Sequence, residues 1–198
     1  NIIDSSKLEI GYMDIKFENS NIVYLVEEVV LSIVDIAKDK NIEIIFNTEE
    51  EEIITAIDEE KIVRVILILL SNSIKFSKEK GDICVEMRRE DEEVVIKVTD
   101  NGIGINEDMK EKIFDKFKRV QSVSNLNVDH EGSGLGLYIA KGFIELHNGS
   151  ISVVSEVEKG STFIITIPIV IIKNDLHNIK HMDEDELNRI IKIELSDL

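Results

Sequence analysis

"RVILILLSNSIKFS" (residues 64–77) decides how this chain folds. Its first half is apolar enough for a buried helix, and Ile62, Val65, Ile66 and Leu69 fall on one stripe that can face a core. A polar cluster, Ser71-Asn72-Ser73, then interrupts it, and Lys75 follows one turn on. Arg64, Ile68, Asn72 and Lys75 share a second face at spacings of four, four and three. A helix with one apolar face and one carrying an amide and a cation packs on one side and presents chemistry on the other. Ile68 is the exception on that second face.

Working outward, Asp58 stands where a helix N-cap belongs, so the helix is expected to run from there to about Phe76. Upstream, residues 22–38 read as a long apolar helix with Val23, Val26, Val30, Ile33 and Ala37 near one stripe. Residues 42–46 and 53–56 read as short strands, and Glu49-Glu50-Glu51-Glu52 as a solvated loop between them. Residues 1–10 read as the last turns of a helix that begins upstream, stopped at Gly11.

Downstream, Gly81-Asp82 turns the chain into a strand pair, with Ile83, Val85 and Met87 alternating on one strand and Val94, Ile96 and Val98 on the other. Residues 107–114 are expected as a short helix, 118–133 as a long aperiodic loop, and 135–146 as a helix. Residues 151–155 and 163–169 form a last strand pair turning near Lys159-Gly160, and Pro168 ends the sheet. In the charged tail, "LNRIIKIEL" fits a helix and a strand equally well. This order implies an α+β fold, a two-layer sandwich whose mixed sheet is covered on one face by helices.

Composition narrows the function. With 198 residues, 43% hydrophobic and 32% charged, the chain suits one soluble domain, and with 5% aromatics its core must rest on Ile, Val and Leu. A net charge of −17 disfavours nucleic acid or an acidic membrane as partner. The single cysteine, Cys84, leaves no internal disulfide or thiolate metal cluster and points to a reducing, cytoplasmic compartment. No run approaches a membrane span, so any anchor of a longer parent is expected outside this chain. A start at Asn1 is read as that of an internal fragment.

Three stretches carry chemistry. In "DNGIGI" (100–105), a carboxylate at a strand end precedes Gly102 and Gly104. Asp100 can accept from an exocyclic amine such as adenine N6, and the glycines let backbone approach a flat ligand. An ordinary tight turn explains the same residues equally well. In "GSGLGL" (132–137), glycine-rich backbone enters a helix and offers free N–H groups to phosphates. A dinucleotide fold is excluded because no strand immediately precedes this motif. In the opening stretch, Asn72 supplies a neutral oxygen suited to Mg²⁺ and Lys75 a cation for phosphate oxygens, against the alternative of a solvated helix end.

Taken together and in order, these stretches resemble the ATP-binding catalytic domain of sensor histidine kinases, within the superfamily that includes the gyrase, chaperone and mismatch-repair ATPases. "LLSNSIKFS" resembles the N box, "DNGIGI" the G1 box, "IFDKFKRV" (113–120) the F box and "EGSGLGL" (131–137) the G2 box. "HNGSISVVSEVEKGSTFIITIPI" (147–169) resembles the family's last hairpin, and "NIIDSSKLEIGYMDIKFE" (1–18) the end of its dimerisation helix and linker. The resemblance covers roughly residues 1–169. It implies a Bergerat-type ATP-binding fold divided into 1–16, the end of the dimerisation helix and linker; 17–170, the catalytic domain; and 171–198, a charged C-terminal tail.

The resemblance also implies roles. Asp100 would bind the adenine amine, with Gly102, Gly104 and Ile105 against the nucleotide. Asn72 would hold Mg²⁺ and Lys75 would touch phosphate. Arg119 would reach the γ-phosphate. Phe117, Gly132, Ser133, Gly134, Leu135, Gly136 and Leu137 would line the nucleotide from the lid and the phosphate-side turn. ATP's γ-phosphoryl group would pass to a histidine on an upstream dimerisation helix, and a response regulator would receive it next. None of the four histidines here, His130, His147, His177 and His181, has a helical acceptor context. The fragment is expected as a monomer and the full-length protein as a homodimer.

One departure from the family's pattern stands out. The N box usually carries a second asparagine four residues before the first, where the related ATPases place an acid that activates water. Here that position is Ile68, which disfavours hydrolysis and raises an alternative, a degenerate nucleotide-binding scaffold. Ser73 in place of the commoner alanine reads as a minor change.

Overall fold

The computed structural model describes residues 1–78, 80–118, 133–173 and 179–196. The elements run α1 (Ile2–Glu9), β1 (Glu18–Asn21), α2 (Ile22–Asp39), β2 (Glu43–Thr48), β3 (Ile54–Ile57), α3 (Glu59–Phe76), β4 (Asp82–Glu90), β5 (Glu93–Asp100), α4 (Gly136–Leu146), β6 (Ser150–Glu156), β7 (Gly160–Pro168) and α5 (Glu184–Glu194). In place of the short helix expected over 107–114 there are two separate 3₁₀ turns, Glu107–Met109 and Lys112–Phe114.

Five strands form one sheet in the order β2-β4-β5-β7-β6. β2 runs parallel to β4 and every other neighbour is antiparallel, so the sheet is mixed. Alternation sets which side faces inward: Ile83, Val85 and Met87 on β4, Val94, Ile96 and Val98 on β5, and Phe163, Ile165 and Ile167 on β7 are buried. Helices α2, α3 and α4 bury their apolar stripes in the same core, which is built almost wholly of Ile, Val and Leu. This is the α+β two-layer arrangement read from the sequence.

The N-caps fix both long helices. Asp58 accepts from the Lys61 N–H at 3.2 Å, and Asn21 from the N–H groups of Val23 at 3.1 Å and Tyr24 at 3.4 Å. The strand missed in the sequence is β1, which pairs antiparallel with β3 as a separate small ribbon. Its four residues, Glu-Asn-Ser-Asn, contain no apolar side chain, so alternation could not reveal it.

Gly11 has φ of 67° and follows α1, as a helix stop does. α1 lies against α4, where a Cβ on Gly142 would stand 2.7 Å from a Leu8 methyl. The tail is docked, not trailing: α5 is a helix capped by Asp183, and Leu187, Ile190 and Leu195 are buried. Before it, the Lys180 N–H donates to the Asn19 carbonyl at 2.9 Å.

Candidate nucleotide site

The site grows from the end of β5. Asp100 is 7% exposed and sits where β5 meets β4 and β7. Its Oδ1 accepts the backbone N–H groups of Gly102 at 2.9 Å and Ser161 at 3.2 Å. Among the described residues, its Oδ2 accepts only a long bond, 3.4 Å, from the Ser73 hydroxyl. Burial pushes the carboxyl pKa above the usual aspartate range, and the Gly102, Ser161 and Ser73 donors offset only part of that. A carboxylate has about four lone-pair sites. The corner therefore keeps acceptor capacity on Oδ2 for an N–H donor from a ligand.

The two glycines after Asp100 serve the protein first. A Cβ on Gly102 would come 2.3 Å from the Phe76 carbonyl, which already accepts the Ile103 N–H at 3.1 Å. A Cβ on Gly104, whose φ is 70°, would come 2.1 Å from the Glu156 carbonyl. The space each saves is filled by backbone: the turn is pressed between the end of α3 and the β6–β7 hairpin. Ile105 is buried and its N–H donates to Ser155 Oγ at 2.8 Å, while that hydroxyl donates to the Gly160 carbonyl at 2.8 Å.

Helix α3 passes directly behind this turn. Ser73, on the last turns of α3, is buried and reaches Asp100, while Asn72 and Lys75 are half-exposed. Among the described residues, neither the Asn72 amide nor the Lys75 ammonium has a hydrogen-bond or ion-pair partner. Ile68, one turn earlier, is buried at 6% exposure, and its Cγ2 lies 3.2 Å from where a Gly136 Cβ would be. It packs the N-terminus of α4 against α3 instead of facing outward. Arg64, on the same expected face, pairs with Asp4 and Glu194.

The opposite wall is the entry to α4. Gly134 has φ of 66° and its carbonyl accepts the Phe117 N–H at 2.9 Å; Phe117 itself has φ of 59° and is exposed. The Leu135 N–H donates to Ser133 Oγ at 3.3 Å, and Leu135 is buried. Leu137 is partly buried against the core. Leu135 stands at the N-cap of α4 and provides no side-chain cap, so the first-turn N–H groups keep capacity for an anion. Arg119 and Gly132, like most of the expected lid and His130, lie outside the described residues.

Sequence reasoning named Asp100, Asn72 and Lys75 but missed the shell that orients Asp100. Ser73 was legible only as a polar replacement for the commoner alanine, because its partner Asp100 is 27 residues away. Ser161 contributes a backbone N–H, which no side-chain pattern reveals. His147, expected as structural, is buried: its Nδ1 contacts the Phe143 carbonyl at 2.7 Å and its Nε2 accepts the Asp58 N–H at 3.0 Å. That bond ties the end of α4 to the start of α3. Among the described residues, no group of three or more His, Cys, Asp or Glu could hold a metal ion.

A family model described as histidine kinase-, DNA gyrase B-, and HSP90-like ATPase matches residues 57–171. Histidine kinase P4 of Formosa agariphila is 33% identical over 172 residues, which cover 85% of this chain and 12% of that relative. Sensor histidine kinase WalK of Bacillus subtilis is 35% identical over 136 residues, covering 68% of this chain and 22% of the relative. Among solved structures, the catalytic domain of histidine kinase ThkA superposes with a TM-score of 0.69 at 29% identity, over 79% of this chain and 99% of that one. Histidine kinase ThkA in complex with the response regulator protein TrrA superposes with a TM-score of 0.68 at 26% identity, over 85% of this chain and 47% of that one. The chain thus spans only a small part of the curated relatives it matches.

Proposed function

We propose that this chain, which belongs to the histidine kinase-, DNA gyrase B-, and HSP90-like ATPase family as a histidine kinase catalytic domain, binds ATP with Mg²⁺ and transfers the γ-phosphoryl group to a histidine on an upstream helix. One observation carries the nucleotide reading: Oδ2 of the buried Asp100 retains acceptor capacity while Oδ1 is fixed by two backbone donors. That is a preset acceptor for the exocyclic amine of adenine.

The remaining residues fit the rest of ATP. The Asn72 amide and the Lys75 ammonium, which have no partner among the described residues, are available to Mg²⁺ and to phosphate oxygens respectively. The uncapped first turn of α4 offers N–H groups to the same anion. Arg119 is the proposed contact to the γ-phosphate. Phe117, Ser133, Gly134, Leu135, Gly136 and Leu137 are proposed to line the phosphate side, and Ile105 the base. When bound, Mg²⁺ neutralises charge on the phosphates during transfer. Lys75 and Asn72 hold the phosphate end in register, and the phosphoacceptor histidine lies on the same or a partner chain. The next acceptor is a response regulator, by analogy with ThkA and its partner.

Ile68 alone favours the scaffold alternative. Its side chain is absorbed by packing against α4, so its apolar character has a structural cause here. Titration calorimetry tests the proposal. ATP should bind with Mg²⁺ and lose most of its affinity when Mg²⁺ is chelated or Asp100 is replaced by Asn. A chain extended through the upstream helix should label its histidine from γ-labelled ATP. Binding without labelling at saturating ATP would leave the scaffold reading.

A further inference from the structure

Arg64 joins three segments that are far apart in sequence. Its Nε donates to Glu194 Oε1 on α5 at 2.6 Å, and its Nη2 to Asp4 Oδ2 on α1 at 2.7 Å. Nη2 also reaches Asn1 Oδ1 at 3.3 Å, and the guanidinium lies 5.0 Å from the Phe143 ring centre. The side chains are withdrawn from water: 3% exposed for Glu194, 13% for Arg64 and 22% for Asp4. One planar cation, shared by two carboxylates and stacked on a ring, is a geometry that lysine cannot reproduce.

What each segment gains is unequal. α5 has its own apolar anchor in Leu187, Ile190 and Leu195. α1 has eight residues, too few to hold a helix by itself in water. Its outer side leaves Ile2, Ile3 and Ile10 exposed, and its inner side rests on Leu8 over Gly142, Glu9 paired to Lys116 at 2.5 Å, and Asp4 on Arg64. Glu194 holds Nε and so fixes the orientation in which Nη2 meets Asp4; without Glu194 the Nη2–Asp4 bond is no longer held in place from the α5 side. α5 lies beyond the residues 57–171 matched by the family model.

We propose that α5 is a latch: through Glu194 and Arg64 it holds α1 against the catalytic domain, and its release lets α1 and the chain leading upstream swing free. The functional consequence rests on the kinase reading, in which α1 leads to the phosphoacceptor helix and the catalytic domain must move relative to it to deliver phosphate.

Hydrogen exchange read by mass spectrometry on the 198-residue chain tests the latch. In Glu194→Gln, amides of α1 should exchange about tenfold faster, the loss expected for a charge-assisted hydrogen bond. Amides of β4 and β5 should not change. Asp4→Asn should accelerate α1 alike, and adding Glu194→Gln to it should bring no further gain, because the link is already cut. Unchanged α1 rates in Glu194→Gln, additive effects in the double variant, equal acceleration of the sheet, or α1 amides already exchanging like an unstructured peptide in the unaltered chain would each overturn the latch. ATP affinity, measured on the same samples, should be the same with and without Glu194→Gln. Failure of the unaltered chain to bind ATP would defeat the nucleotide reading and leave the latch standing.

Discussion

The Ser73 hydroxyl, on α3, donates to Oδ2 of Asp100, at the end of β5, across 3.4 Å of buried space. The serine that read as a minor replacement for alanine is thus a support for Asp100, the residue proposed to accept the adenine amine. The contact is long, so its contribution is at the low end for a hydrogen bond to a charged group. Ser73→Ala should weaken ATP binding by roughly two- to tenfold, equivalent to about 0.5–1.5 kcal/mol. It should leave folding nearly unchanged. Calorimetric titration of the two proteins side by side checks this.

Asp100 also predicts a pH dependence. Burial raises its pKa, and in its proposed role the ionised carboxylate is the stronger acceptor for the adenine amine. ATP affinity should therefore be full where Asp100 is ionised and fall as pH drops through the raised value, earlier than an ordinary aspartate would titrate. Ser73→Ala removes a donor to the charged form, so it should move the fall to higher pH. Affinity–pH curves for both proteins, with ATP's own ionisation subtracted, provide the test; coincident curves would disconnect Ser73 from the carboxylate.

The glycines of the turn should tolerate no side chain. Gly102→Ala drives a methyl to 2.3 Å from the Phe76 carbonyl, and Gly104→Ala to 2.1 Å from the Glu156 carbonyl at a φ of 70°. Each should cost about 2–4 kcal/mol of stability, the upper part of the range for single substitutions. Urea unfolding measures it. A change under about 0.5 kcal/mol, the ordinary range for surface sites, would show that the turn moves freely.

Ile68→Asn puts an amide against the α4 N-terminus in an apolar site. The expected cost is about 1–3 kcal/mol of unfolding free energy, read from urea denaturation. ATP affinity should change by less than about threefold, under 1 kcal/mol. A sharp rise in phosphotransfer in an upstream-extended chain would favour the scaffold reading of the unaltered protein; an unchanged rate would show that Ile68 is tolerated.

His147 links stability to pH. Burial lowers its pKa below the ordinary histidine range, despite the Phe143 carbonyl and Asp58 nearby. The unfolded chain then binds a proton that the folded chain refuses. The stability from neutral His147 is complete above the ordinary value and is lost as pH falls toward the depressed one. His147→Phe should remove that slope between about pH 7.5 and about pH 5. It should also cost about 1–3 kcal/mol at neutral pH by orphaning the Asp58 N–H. Denaturation series across that range decide it.

Sequence by itself determined what depends on neighbours along the chain. Period-2 alternation set the strands β4 and β5 and their inward faces. The 3.6 period and Asp58 set α3 with its apolar stripe. The spacing of Asn72, Lys75, Asp100 and the glycine turns was legible because each motif is short and local. Tertiary structure alone decided where those motifs meet. It brought Ser73 and the Ser161 N–H to Asp100 from 27 and 61 residues away. It filled the space at Gly102 and Gly104 with backbone, and turned Ile68 and Arg64 from a supposed ligand face into packing and a three-way ion pair. It also resolved "LNRIIKIEL", ambiguous in isolation, as part of the docked helix α5. The reason is physical: a helix or strand is announced by its own periodicity, whereas a buried acceptor, a close backbone approach or a shared guanidinium exists only once distant segments exclude water together.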